Sequence, residues 1–460
     1  MFNPTPSQST STSVHGTHKS SWELPQGDQP FPRNKISSAF QREIHSSPRS
    51  KLPIQMTQTD DPLQSSLLLS WRDSSDIGKT ERVLGLLKKL EGIVNDKFGE
   101  KRFEVDVYGS VSWGGQTGMS GDLDLVIRVS TIPSLWRSPP DPEKPAKSTS
   151  RKTRIPLIPD LPDIYDLTKL SRKLSANGMT DIEIIRFATC PIIKFTHGEF
   201  KCDINVNDLG GWYNSRLIQA YCEISPFILR PLIHGLKLWA SSKEINDPSG
   251  SLGPATMSSY CLTLMAIAYL QHRGVLPNLQ AHIKVPIPSY PWNTTDPDVV
   301  WVGWGKDQGI PTHVDFNSEP DENWEAVKGL TAADAFRGFF SFFSRTPSTI
   351  PTSSQNVKVG GNGNEGKGRG DTGERFNYST QIVSILNGGI CQRSTLENKI
   401  KGKKEERIKQ EMNMGKGDKI QPSNWSERRL VVQDPFIWQK VSDLMVSFVA
   451  SLLSSHLFNV

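Results

Sequence analysis

Apolar residues recur at three- and four-residue intervals from Lys79 to Phe98, where Val83, Leu86, Leu87, Leu90 and Ile93 form one stripe and predict an amphipathic helix. The period then changes to two. In FEVDVYGS, Phe103, Val105 and Val107 alternate with charges, and in DLDLVIRV, Leu123, Leu125 and Ile127 lie opposite Asp122, Asp124 and Val126; both read as strands. A helix over DLTKLSRKLSAN, ended by Gly178, precedes two further strand-like runs, CPIIKFTH and FKCDINVN. In the second of these, Phe200, Cys202, Ile204 and Val206 share one face, while Lys201, Asp203 and Asn205 share the other.

Beyond Gly210 the pattern predicts helices: NSRLIQAYCEI, then PFILRPLIHGLKLWASSKEIND starting at Ser225 and Pro226, then SSYCLTLMAIAYLQHRG, apolar nearly all round and therefore central to its domain. The final run, VSDLMVSFVASLL, also has helical spacing. Pro-, Gly- and charge-rich stretches interrupt these elements. Residues 1–74 are expected to be disordered, and mobile insertions are expected at 133–165, 345–375 and 397–420.

The chain of 460 residues thus divides into an α/β domain over 75–212 and a helical domain over 213–460. A net charge of +5 favours an acidic partner without requiring one. The five cysteines have no CxxC spacing, which argues against a zinc site or a disulfide framework and for a reducing compartment. Cytoplasm is the first expectation, with mitochondrion or nucleus as alternatives. No apolar run reaches the length of a membrane span.

The stretch YGSVSWGGQTGMSGDLDLVI, Tyr108 to Ile127, has the look of a phosphate loop but lacks the Lys and Ser or Thr that would open a helix, and it leads into a strand instead. Its carboxylates are more informative. Asp122 and Asp124 leave one side of a strand, and Asp203 lies on a second strand with the same alternation. Three such carboxylates on adjacent strands suit two Mg²⁺ or Mn²⁺ ions, one activating an attacking hydroxyl and one stabilising a leaving pyrophosphate. Gly109 and Ser110 then form a tight turn whose backbone N–H groups and hydroxyl bind phosphate oxygens, with WGGQTGMSG as a flexible connection.

Gly109-Ser110, DLD at 122–124 and CDINVND at 202–208 resemble the DNA polymerase beta-like nucleotidyltransferase superfamily. LKLWASSKEIND, MSSYCLTLMAIAYLQHRGVLPNLQ, FRGFFSFFS, FNYSTQIVSILNGG and VVQDPF resemble the central, poly(A) polymerase-associated part of template-independent RNA poly(A) polymerases and terminal uridylyltransferases. The resemblance implies an α+β fold: a mixed sheet with helices, a mostly helical second domain, and a triphosphate in the cleft between them. It also implies that Asp122, Asp124 and Asp203 ligate the metals and that Asp203 activates the RNA 3′-hydroxyl. Ser110 is then a phosphate contact, Asn214 meets the ribose, Lys237 neutralises the triphosphate, Ser259 adds a hydroxyl contact and Tyr260 stacks on the base.

Two departures stand out. Ser241 replaces a second lysine one turn after Lys237, and DPFIWQKVSD has Trp438, Gln439 and Lys440 but no His of the kind that selects uracil in uridylyl-transferring members. The expected activity is therefore transfer of AMP from ATP to RNA 3′ ends, with UTP as the alternative substrate and an inactive RNA-binding scaffold as the alternative of another class.

Overall fold

The computed structural model describes residues 60–74, 77–98, 103–118, 122–129, 163–188, 190–248, 250, 256–283, 296, 298–303, 310–344, 375–394, 430–436 and 441–444. All of them lie in one compact unit. The expected disorder of residues 1–59, the insertions over 133–162, 345–374 and 397–420, and residues 437–440 and 445–460 fall outside the described residues.

The chain enters through helix α1, Pro62–Asp73, which lies inside the stretch expected to be disordered. Asp61 caps it by accepting from the N–H of Leu63, and Pro62 stands at its first turn. Leu67, Leu68 and Trp71 are buried, and the cap residue Asp61 also takes a two-pronged ion pair from Arg337, at 2.7 and 2.8 Å. The flanking Ser, Thr and Pro hide a short amphipathic helix whose partner surface lies far along the sequence.

Helix α2, Ile77–Phe98, carries the predicted stripe and covers one face of a five-stranded sheet. The strands are β1 (Phe103–Tyr108), β2 (Leu123–Val129), β3 (Thr180–Ile185), β4 (Ile192–His197) and β5 (Phe200–Val206), in the order β1-β2-β5-β4-β3. Only β2 and β5 pair in parallel, so the sheet is mixed as expected. Helix α3, Leu167–Ala176, packs beside α2; Asp166 caps its start, and Gly178 at φ +85° closes its end. Two readings change here. Strand β3 joins the two expected runs, and Ile164 and Tyr165 are buried, so the packed structure resumes at Asp163 within the insertion expected to end at 165.

Helix α4, Gly210–Ile224, crosses the expected domain boundary and lies against β1. Gly211 has to be glycine, because a Cβ there would sit 2.6 Å from the Tyr108 ring. Trp212 Nε1 donates to the buried Asp106 carboxylate at 3.0 Å, and Arg128 stacks over the Trp212 ring at 4.8 Å, which pins the helix to the sheet. Helix α5 spans Leu229–Ser242; it begins three residues after Pro226, because 226–228 form a turn instead.

Helix α6, Ser259–His272, is buried along nearly its whole length, capped by Ser258 and stopped at Gly274 in the left-handed region. Helix α7, Ala332–Phe343, begins with a reciprocal Thr331–Asp334 capping box and packs its phenylalanines on α6 and α5. This half also contains strands that the apolar patterning did not reveal: a hairpin of β6 (Val299–Val302) and β7 (Ile310–His313), and a sheet of β8 (Gln381–Ser384), β9 (Gly389–Gln392), β10 (Leu430–Gln433) and β11 (Val441–Leu444). Val441–Leu444 was expected to be helical. It is a strand because the free edge of β10 accepts it in antiparallel register, Leu430 opposite Leu444. Among the described residues, no helix is long and apolar enough to cross a membrane.

Candidate active site

The parallel pairing of β2 with β5 places Asp124 directly opposite Asp203, and Asp122 immediately precedes β2. Since the helices cover the Leu123, Leu125, Cys202 and Ile204 side, the carboxylates occupy the opposite face. Burial, then the neighbouring Asp203 and Asp122 carboxylates, raise Asp124 to about 7; Lys194 and Lys237 act the other way. Lys194 Nζ, on β4, donates to Asp203 Oδ2 at 2.6 Å. Among the described residues, no three carboxylate, imidazole or thiol groups stand already gathered as a ligand set.

Gly109 and Ser110 open a short 3₁₀ turn at the end of β1. Gly109 adopts φ +71°, and a Cβ there would come within 2.1 Å of Asp124 Oδ2, so the turn and the carboxylate touch. The Gly109 N–H donates to Ser215 Oγ of α4 at 2.8 Å. The connection after it, as far as Gly115, is held in place where its glycines suggested a free hinge. Trp113 is 4% exposed within the core of the helical half, its carbonyl accepts from Arg230 Nε at 3.2 Å, and Gly115 N–H donates to Ser110 O at 2.7 Å. Gly115 lets the Trp113 ring fold over it.

Lys237, on α5, is 7% exposed and donates to Gly115 O at 2.6 Å. Burial lowers it to about 8, partly offset by Asp124, so one ammonium ties α5 to the turn-bearing loop beside the carboxylates. Asn214 adjoins Ser215 on α4, and its Oδ1 is buried without a protein partner. Ser259 and Asn246 hydrogen-bond to each other at 2.9 and 3.2 Å. Tyr260 is half-buried against the helical core, its hydroxyl buried without a partner and its pKa raised by burial and then by Asp434. Buried polar atoms of this kind are uncommon. Lys194, Trp113, Ser215 and Arg230 escaped sequence reasoning; only Lys194 left a signal, as the lone charge in the apolar run CPIIKFTH.

Residues 74–223 match the family model described as "Poly(A) RNA polymerase, mitochondrial-like, central palm domain". This segment is similar to that family's palm domain. The match holds the carboxylate-bearing sheet, the Gly109 turn and α4.

Among curated proteins, the chain is 28% identical over 231 residues to poly(A) RNA polymerase cid13 of Schizosaccharomyces pombe, covering 49% of this chain and 34% of that protein. It is 40% identical over 103 residues to poly(A) RNA polymerase GLD2 of Homo sapiens, covering 21% of this chain and 20% of that protein. The chain therefore spans about a third or less of the length of these relatives. A solved structure of the Cid1 poly(U) polymerase with Mg and 3′-dATP aligns over 85% of this chain and 87% of its own, at 18% identity and TM-score 0.48.

Proposed function

We propose that this chain extends RNA 3′ ends without a template, transferring AMP from ATP, with Asp122, Asp124 and Asp203 as the reacting centre. The observation that carries this reading is the register of β2 and β5, which sets Asp124 opposite Asp203 on the face turned away from α2 and α3. The family of the palm segment and the relatives' names support RNA as acceptor.

The donor set is all carboxylate oxygen, which suits a hard divalent ion, Mg²⁺ or Mn²⁺. Its electrostatics fit as well, since Asp124 is raised to about 7 by burial and by two neighbouring carboxylates, a strain that cations relieve. Asp122, Asp124 and Asp203 would hold two such ions. When bound, these ions supply activation of the 3′-hydroxyl and neutralisation of charge on the departing pyrophosphate. Asp203 would orient the 3′-hydroxyl and accept its proton. Ser110 would donate to phosphate from a turn held by Ser215 and by Trp113, and Lys237 would extend its remaining N–H groups to the triphosphate. Asn214 Oδ1 would accept from a ribose hydroxyl, Ser259 would add its hydroxyl, and the Tyr260 ring would stack on the base.

Adenine is favoured over uracil because the curated relatives are poly(A) RNA polymerases and because residues 437–440 read Ile, Trp, Gln and Lys, with no His. A radiolabelled RNA primer offered each nucleoside triphosphate in turn tests all of this. Elongation with ATP is expected, abolished by Asp122→Ala plus Asp124→Ala. Elongation with UTP alone would reassign the base, and a rate unchanged in the double variant would overturn the proposal.

A further inference from the structure

Lys194 stands between two carboxylates. Its strand β4 is flanked by β5 and β3, and the register sets Lys194 opposite Asp203 on one side and opposite Glu183 on the other. Directly opposed residues project from the same face, and neighbouring strands lie only about 5 Å apart, so a lysine stem reaches either neighbour. The ammonium donates to Asp203 Oδ2 at 2.6 Å. Its side chain is 37% exposed, which leaves it room to turn, and Glu183 is exposed beside it.

Resting on the assignment of Asp203 as a metal ligand, we infer that Lys194 is a stand-in for the metal. Its ammonium holds Asp203 Oδ2 while no ion is bound, and it withdraws across the strand to Glu183 when a divalent ion takes that oxygen. A divalent ion on Asp203 repels an ammonium held at the same carboxylate oxygen and competes with it for the negative charge. Glu183 supplies the compensating charge on the far side. The arrangement lets Asp124 and Asp203 fold side by side, because Lys194 offsets part of their charge, at the cost of weaker metal binding.

The test is Mn²⁺ binding to the full chain without nucleotide or RNA, followed by the paramagnetic resonance of free Mn²⁺. Lys194→Met is expected to lower the Mn²⁺ Kd on the order of tenfold, since a competing cation is gone. Lys194→Arg, which keeps the charge, is expected not to tighten binding. Glu183→Gln is expected to weaken it several-fold, because Lys194 loses its alternative partner. A merely structural role for Lys194 predicts the opposite sign, weaker binding in Lys194→Met, and that result or no change overturns the inference.

Should Lys194→Met fail to fold, Glu183→Gln on the exposed strand decides: unchanged Mn²⁺ binding overturns the inference. The Asp122→Ala plus Asp124→Ala variant separates the two levels. Mn²⁺ binding that survives it removes the carboxylate site itself; binding lost there but not tightened in Lys194→Met removes only the role of Lys194.

Discussion

Replacing Gly109 with alanine tests the contact between the turn and the carboxylate. At φ +71°, a Cβ would lie 2.1 Å from Asp124 Oδ2, 3.1 Å from its Cγ and 3.3 Å from its Cβ. No real pair of atoms stands at the first distance, so either the Asp124 carboxylate rotates away or the turn slides. The left-handed backbone costs alanine about 1–2 kcal/mol. A sliding turn also strains the Gly109–Ser215 hydrogen bond, whose loss costs about 1 kcal/mol. Against a domain stability of roughly 5–15 kcal/mol, the variant stays folded.

Its activity should fall much further, because displacing a reacting group by about 1 Å costs on the order of 100-fold in rate. Two other glycines separate the causes. Gly178 and Gly198 adopt φ +85° and +60°, and an added Cβ would meet nothing within 4 Å at either, so Gly178→Ala and Gly198→Ala carry the backbone cost alone. Primer extension at saturating ATP, paired with urea unfolding, is the assay. The reasoning fails if Gly109→Ala extends RNA within tenfold of the parent, or if either control loses as much activity.

Two further outcomes are expected. Trp71→Ala should cost about 3–5 kcal/mol in urea unfolding, because the ring is fully buried under α1 and meets the Phe227 edge; a loss below about 1 kcal/mol would show that α1 is not part of the stable fold. Triphosphate affinity measured without metal should fall as pH rises through about 8, where Lys237 loses its proton, and not near 10.5, where an ordinary lysine would. The sign follows from the charge: an anion needs the protonated form, which burial makes scarcer above pH 8. Lys237→Arg should flatten that profile, and a wild-type profile equally flat through pH 9 would refute the assignment.

Much of the five-stranded sheet and its helices was legible because the signals are local. The period-two alternation in DLDLVIRV and FKCDINVN put Asp122, Asp124 and Asp203 on polar faces before any strand was paired. The stripe of α2 and the end of α3 at Gly178 were equally readable. What misled was composition. Trp113-Gly-Gly looked like a hinge because glycine loosens a chain on its own, yet Gly115 serves to admit the Trp113 ring, and the loop is held by Arg230 and Lys237. Ser- and Pro-rich flanks concealed α1, whose apolar face has meaning only against α5 and α7. The apolar run at Val441 fitted a helix or a strand, and the edge of β10 decided.

The amino-acid sequence by itself determined which residues share a face in DLDLVIRV and FKCDINVN, and hence that three carboxylates lie on the faces opposite the apolar stripe. Those properties arise within a few residues, from backbone geometry and side-chain period. The tertiary structure decided which strands are neighbours and in what register: Asp124 opposite Asp203, and Lys194 between Asp203 and Glu183. It also decided that Lys237 reaches Gly115, 122 residues away, and that Ser215 takes the Gly109 N–H. Such contacts form only when packing brings distant segments together, so no local pattern records them.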